Sequence, residues 1–347
     1  MRHLPRSVAP IRFEGVGWGP KSHGVYHPCE TPAVLGERSR RSRPVVSCGA
    51  VRLHLVDGTF ELYRAHYSGR PDREAIVGGR RMSVKATLGL AHSMLALIAE
   101  EKATHLAIAF DNPIVSFRNR LFDGYKTDVG VPEELRAQFD LVEEVARAFG
   151  FIVWSMDEFE ADDALATAAL KFRDQVEHVR ICTPDKDLGA CVTGKHVVLL
   201  DRIRRRVIDE DAVRSLRGVA PAAVPDFLAL VGDTADGIPG LRGFGEKTAA
   251  ALLSRYGRVD DIPDDPARWD VAVRGKERLG AELAARRADV ALYRTLATLR
   301  TDVPLAESLE DLDLERARAR ARTTLPPMLE RFASAELAGR ARERGFI

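Results

Sequence analysis

The sequence predicts an α/β fold, a parallel sheet flanked by helices, followed by a mostly helical region. Two patterns carry that reading. Short apolar runs alternate with stretches of helical period between residues 51 and 183, which is how strands and crossover helices of a parallel sheet are written. Beyond about residue 218 the strand pattern stops, and helical stretches separated by Pro and Gly continue to the C-terminus.

The elements follow in order. "VRLHLV" (51–56) is a short apolar strand ended by "DG". Leu90, Ala91, Met94, Leu97 and Ile98 then fall on one face of a helix over 84–98. "THLAIAF" (104–110) is a second strand, again ending at an Asp, and Leu135, Phe139, Val142, Ala146 and Phe149 follow at helical spacing. "FIVW" (151–154) is the third strand, "EFEADDAL" (158–165) opens a helix, and "HVRICT" (178–183) is the fourth strand. Helices are expected at 222–231, 246–256 and 278–298. The expected division is an α/β region over 51–217 and a helical region over 218–347.

Composition bounds the function without choosing it. A chain of 347 residues, 45% hydrophobic and 30% charged, can bury a substantial core in two domains. A formal net charge of +1 leaves room for a basic surface balanced by an acidic pocket. Cys29, Cys48, Cys182 and Cys191 have no C-x-x-C spacing, which fits a reducing cytoplasm better than a disulfide framework or a structural zinc. No run of 18 uncharged apolar residues calls for a membrane span. The first fifty residues hold eight Arg or Lys, three Glu and no Asp, with no sustained apolar period. Disorder is the expectation there, and an alternative is a true start near Val46 or Val51.

The carboxylates carry more information. Asp57 follows the first strand, Asp111 the second, and Asp185 and Asp187 ("TPDKD") the fourth; Glu160, Asp162 and Asp163 open the helix after the third. In open α/β sheets, sites form beyond the C-terminal ends of the strands. One such Asp is commonly a turn or cap residue, but four strand ends deliver acids to the same edge. Two carboxylates about 4 Å apart repel by roughly 4 kcal/mol at an effective dielectric near 20, so a converging set needs protons or cations. The donors are all oxygen, which implies a hard cation, Mg²⁺ or Mn²⁺. Two such ions suit in-line attack on a phosphodiester. Glu158 is expected in solvent.

"GDTADGIPGLRGFGEKT" (232–248) is glycine-rich but is not a P-loop, because Glu246 separates Gly245 from Lys247 and Thr248. What remains is a turn between helices whose glycines let backbone N–H groups approach a phosphate. A plain helix–helix turn is the equal alternative on this loop alone, and Asp233 and Asp236 just upstream favour function.

Together these residues resemble the 5′-nuclease (flap endonuclease-like) family, most closely the N-terminal 5′–3′ exonuclease domain of bacterial DNA polymerase I. The similar stretches are "VDGTFELYRAHY", "FDNPIVSFRNRLFDGYK", "EFEADDALA", "TPDKDL", "GDTADGIPGLRGFGEKTA", "TLRTDVPL" (298–305) and "LERFASAELAGR". The resemblance spans about 51–347. It implies a PIN-like sheet and a helix–three-turn–helix near 232–257, where the family often holds K⁺. It implies a two-ion site, with Asp57, Asp111, Glu160 and Asp162 at the first ion and Asp185, Asp187 and Asp236 at the second. Asp163 and Asp233 would be outer or additional ligands. Lys126 would place the scissile phosphate, Tyr125 would stand beside it on an arch, and Arg64 would contact phosphate. Arg118, Gly240, Gly243, Gly245, Lys247 and Thr248 would bind DNA. Val129 stands where the family usually has a second basic residue, and the arch is short, which puts threading of a flap in doubt.

The expected protein is a monomeric, stand-alone 5′–3′ exonuclease or flap endonuclease of the bacterial cytoplasm and nucleoid. It would act on 5′ flaps, nicks and single-strand/double-strand junctions, with RNA primers as further substrates. The alternatives are a PIN-like ribonuclease and a catalytically inactive structure-specific DNA-binding protein.

Overall fold

The computed structural model describes residues 50–347; the expected disorder of residues 1–50 lies outside the described residues, Ala50 apart. The first half runs β1 (Arg52–Asp57), α1 (Gly58–His66), β2 (Glu74–Val77), β3 (Arg80–Ser83), α2 (Lys85–Glu100), β4 (His105–Asp111), α3 (Phe117–Leu121), α4 (Glu133–Arg136), α5 (Phe139–Ala148), β5 (Ile152–Met156), α6 (Ala161–Phe172) and β6 (His178–Cys182). Then come β7 (Val197–Asp201), β8 (Arg206–Ile208), α7 (Glu210–Arg217), α8 (Val224–Val231), α9 (Glu246–Tyr256), α10 (Lys276–Ala285), α11 (Arg287–Ala297), α12 (Leu314–Phe332) and α13 (Ala335–Glu343).

The main sheet has the order β5-β4-β1-β6-β7-β8. The four strands read from apolar runs sit side by side and parallel: Leu53 pairs with His105, Leu53 also with Val179, and Ala107 with Ile152. Burial on both faces explains the near-continuous apolar character of β1 and β4. The all-parallel expectation needs one correction. β7 extends the parallel set, but β8 returns antiparallel to it, pairing Leu199 with Ile208.

Alternating side chains divide the core. Leu53, Leu55, Ala107, Ala109 and Ile181 face α6, α8, α9 and α11. Val56, Leu106, Ile108, Phe110 and Leu200 face α2, α5, α12 and α13. Leu53, Leu55, Val56 and Ile108 have no exposed surface, and such side chains contribute about 1.5–3 kcal/mol each by leaving water. The segment expected as one helix over 278–298 is two, because the backbone breaks at Arg286 (φ −117°, ψ 21°). There Arg287 turns back to donate to the Val259 and Ile262 carbonyls and to Asp264.

Candidate functional site

Parallel pairing places the ends of β4, β1 and β6 on one edge of the sheet, with α6 entering beside them. Asp57 ends β1 and caps α1: one oxygen accepts from Phe60 N at 2.8 Å and the other from Thr183 Oγ1 at 2.9 Å. Asp111 ends β4 and accepts from Ala161 N, the first residue of α6, at 2.7 Å. Glu160 caps α6 and accepts from Ser116 Oγ at 2.6 Å. Asp185 and Asp187 follow β6 in a tight turn, where Asp187 N donates to Asp185 Oδ1 at 2.8 Å. Arg217, at the end of α7, ion-pairs with Asp187. Asp233 and Asp236 arrive from the loop after α8, which closes as a small hairpin through Asp233 N to Ile238 O and Ile238 N to Asp233 O, at 2.8 and 2.7 Å.

Lys126 stands inside this set, its Nζ 3.0 Å from Glu160 Oε2 and 3.1 Å from Asp236 Oδ1. Its backbone N donates to Asp236 O at 3.0 Å, so the segment carrying it is stitched to the acidic loop. Among the described residues no three acid, His or Cys side chains stand in ligand geometry as they are; Lys126 bridges two of the acids itself.

The electrostatics show a site short of positive charge. Burial first, and the charges of Asp111 and Asp185 next, push the Asp57 carboxyl up to about 7. Burial and Asp185 push Asp187 up to about 8, against the pull of Arg217. Burial raises Asp111 and Asp236 and, with Asp185 and Asp57 nearby, lifts Asp162 well above the ordinary range. Glu160 goes the other way: burial opposes its ionisation, but Lys126 and Arg118 outweigh it. Lys126 stays firmly protonated despite burial because Asp236 and Glu160 hold it. Buried carboxylates that raise one another are a recurrent mark of functional sites, and an all-oxygen set of this kind fits a hard divalent cation.

Several expected roles change. Asp163 does not face the acidic edge. It is fully buried and bound in two places by Arg118, with Nη1 to Oδ2 and Nη2 to Oδ1 both at 2.7 Å. Its remaining capacity goes to the Glu160 and Arg300 backbone N–H groups, at 3.0 and 2.8 Å. Arg118 is for the same reason no DNA contact: it is 1% exposed and also donates to Leu296 O and Thr298 O. Tyr125 is not on an open arch. It is buried, with its hydroxyl 3.2 Å from Glu160 Oε2 and 3.5 Å from Asp236 Oδ2, and burial keeps that hydroxyl protonated.

Arg64 donates to Glu61 and Ser93 while about a third of its side chain stays exposed. Glu158 is exposed, and it also pairs with Arg120. Gly240 serves its own loop, since at φ +65° a Cβ there would meet Gly232 N at 2.4 Å. Gly243, Gly245 and Lys247 are exposed at the N-terminus of α9, with Thr248 partly exposed one residue on. A Cβ at Gly245 would meet nothing within 4 Å.

The sequence reading missed Thr183, Ser116, Thr59 and Arg217, which orient Asp57, Glu160, Asp111 and Asp187. Only Ser116 carried a local signal, a Ser three residues before Asn119 in a reciprocal cap of α3.

The chain is similar to known proteins along most of its described length. Residues 52–218 match the family described as 5′-3′ exonuclease, N-terminal resolvase-like domain, and residues 219–320 that described as 5′-3′ exonuclease, C-terminal SAM fold. A 5′-3′ exonuclease of Aquifex aeolicus is 31% identical over 265 residues, covering 76% of this chain and 87% of that protein. DNA polymerase I of Mycobacterium leprae is 34% identical over 267 residues, 76% of this chain, and the chain spans only 28% of that polymerase. In fold, the chain is similar to the T5 5′-exonuclease solved with divalent zinc ions, with a TM-score of 0.59 at 20% identity over 79% of this chain and 98% of that one. It is also similar to the T5 D15 flap endonuclease solved in a pseudo-enzyme-product complex with DNA and metal ions, with a TM-score of 0.56 at 19% identity over 84% and 99%.

Proposed function

The chain belongs to the 5′-3′ exonuclease family, and we propose that it hydrolyses DNA phosphodiesters near 5′ ends, flaps, nicks and single-strand/double-strand junctions, using two divalent cations. One observation carries this reading: carboxylates from separate strand ends and from the 233–236 loop converge on one sheet edge around Lys126. Asp57, Asp111, Glu160 and Asp162 would hold one ion, and Asp185, Asp187, Asp233 and Asp236 the other. Such ions supply Lewis-acid activation of water and neutralise charge on the leaving oxygen. Mg²⁺ and Mn²⁺ both suit the oxygen donors.

The chain's own groups do the positioning. Phe60 N and Thr183 fix Asp57, Ala161 N fixes Asp111, and Tyr125 directs its hydroxyl between Glu160 and Asp236. Lys126, kept protonated by its neighbours, offers a positive charge where a phosphate would meet the acids. Arg64 is fixed by Glu61 and Ser93 and offers its exposed part to a flanking phosphate. At the N-terminus of α9, Gly243, Gly245, Lys247 and Thr248 would hold a duplex backbone without reading bases. The reading extends to a K⁺ ion at that turn, to a monomer acting at the nucleoid, and to primer removal or gap repair as its setting.

The test is a panel of 5′-labelled flap, nicked, blunt and matched RNA substrates with Mg²⁺, Mn²⁺ or EDTA. Cleavage of flap and nick in either metal and none in EDTA is expected. Preferential cleavage of RNA would favour the ribonuclease alternative, and tight junction binding without cleavage the inactive binder.

A further inference from the structure

Residues 296–303, the end of α11 and the link that follows it, hold α6 through contacts the proposed chemistry does not use. Arg118 Nε donates to Leu296 O at 2.8 Å and Nη2 to Thr298 O at 3.0 Å, while the same guanidinium grips both oxygens of Asp163 at 2.7 Å. Asp163 in turn accepts from Arg300 N at 2.8 Å and from Glu160 N at 3.0 Å. The Arg300 guanidinium lies 5.6 Å from the Phe117 ring centroid and 5.5 Å from that of Phe159, within cation–π range. Thr167, on α6, donates to Arg300 O at 3.4 Å and accepts from Val303 N at 3.3 Å.

We infer that residues 296–303, with Arg118 and Asp163, form a strap that fixes the first turn of α6, and with it Glu160 and Asp162, against the helical region. The functional consequence rests on the nuclease reading; the strap itself does not. Arg118 and Asp163 are positioning residues in this account. A guanidinium fork that meets Asp163, two carbonyls and, at 3.4 Å, Glu160 Oε1 in fixed directions cannot be replaced by the point charge of a lysine. A phosphate-contacting arginine largely can.

The experiment compares Arg118→Lys, Arg118→Gln, Asp163→Asn and the Arg118→Gln/Asp163→Asn pair in the full chain. It measures three quantities: the thermal midpoint in EDTA, flap-duplex binding in Ca²⁺ over a range of salt, and single-turnover cleavage in Mg²⁺. Each single variant is expected to lower the midpoint and to slow cleavage by about 10²-fold, the cost typical of a small misplacement of reacting groups. The pair should recover part of both losses, since neutral partners still bond to each other and such neighbours are not additive. The salt slope of binding should stay at the wild-type value.

Three results would overturn the strap: additive losses in the pair, full rescue by lysine, or a salt slope shallower by about 0.9, the signature of one lost phosphate contact. If the single variants do not fold, Thr167→Val loosens the strap without stranding a charge. It should slow cleavage at unchanged salt slope, and wild-type cleavage would count against the strap. A wild-type protein that cuts no substrate defeats the nuclease reading, while the midpoint cycle and salt slope still judge the strap.

Discussion

Asp162 and Asp163 are consecutive in the chain and belong to opposite regions of the molecule. Asp162 stands on the acidic edge, where burial, Asp185 and Asp57 hold its carboxyl well above the ordinary range. Asp163, turned about 100° further round the same helix, lies in the interior with both oxygens bound to Arg118. One region has more negative charge than its cations balance; the other is fully partnered. Acids that stabilise a fold and acids that await an ion can therefore share one four-letter motif, and only their neighbours tell them apart.

That contrast can be broken most decisively by activity. Asp162→Asn should slow single-turnover cleavage by roughly 10²–10³-fold, in line with losing one electrostatic element of a site, with no loss of folding in EDTA. A near-wild-type rate would remove Asp162 from the chemistry. Stability should show the reverse order. Asp163→Ala strands a buried guanidinium and should cost about 3–5 kcal/mol, while Asp162→Ala relieves repulsion and should be neutral or stabilising in EDTA. Urea denaturation of both variants checks this, and equal losses would erase the distinction.

These two residues also mark what the sequence can show. Apolar runs gave away β1, β4, β5 and β6, with β1 and β4 ending in Asp and almost wholly buried, as strands covered on both faces are. "VVLLD" of β7 had the same signature and was overlooked, whereas β2, β3 and β8 are short and mostly exposed, with little apolar pattern to read. The convergence of the acids was legible because topology fixes which strand ends share an edge. The side-chain directions of Asp163, Arg118 and Tyr125 were not, since they depend on partners 45 to 180 residues away for Arg118 and 35 to 111 away for Tyr125. In the basic run "RIRRRV" (202–207), Arg202 donates to Glu61 and to Ser93, partners that the charge pattern alone does not show.

Added cation sharpens the contrast at a smaller scale. Mn²⁺ at about 100 times its Kd should raise stability by about 2.7 kcal/mol, and Asp162→Asn should reduce that gain. A thermal midpoint in wild-type protein indifferent to Mn²⁺ would argue that the acidic edge holds no ion.

A separate effect is expected away from the acidic edge, within β1. His54 on β1 has no exposed surface and no hydrogen-bond partner for either ring nitrogen. Burial, with Arg180, His178 and Arg52 nearby, pushes it down to about 3; Glu101 is engaged by Arg180. The unfolded chain binds a proton at this position below about 6.5 and the folded chain does not, so stability falls as pH drops from 6.5 toward 3. The slope from this residue is at most about 1.4 kcal/mol per pH unit. His54→Leu should flatten the acid-side loss, and an unchanged pH profile would show that His54 is protonated in the folded chain.

Whether the acidic edge is the catalytic centre of a metal-dependent nuclease is decided by single-turnover cleavage of a 5′-labelled flap duplex in Mg²⁺ by wild-type protein and Asp185→Ala, with duplex binding measured in parallel. Cleavage by the wild type, almost none by the variant, and similar binding by both are expected. Cleavage by Asp185→Ala at the wild-type rate would contradict that role for the acidic edge.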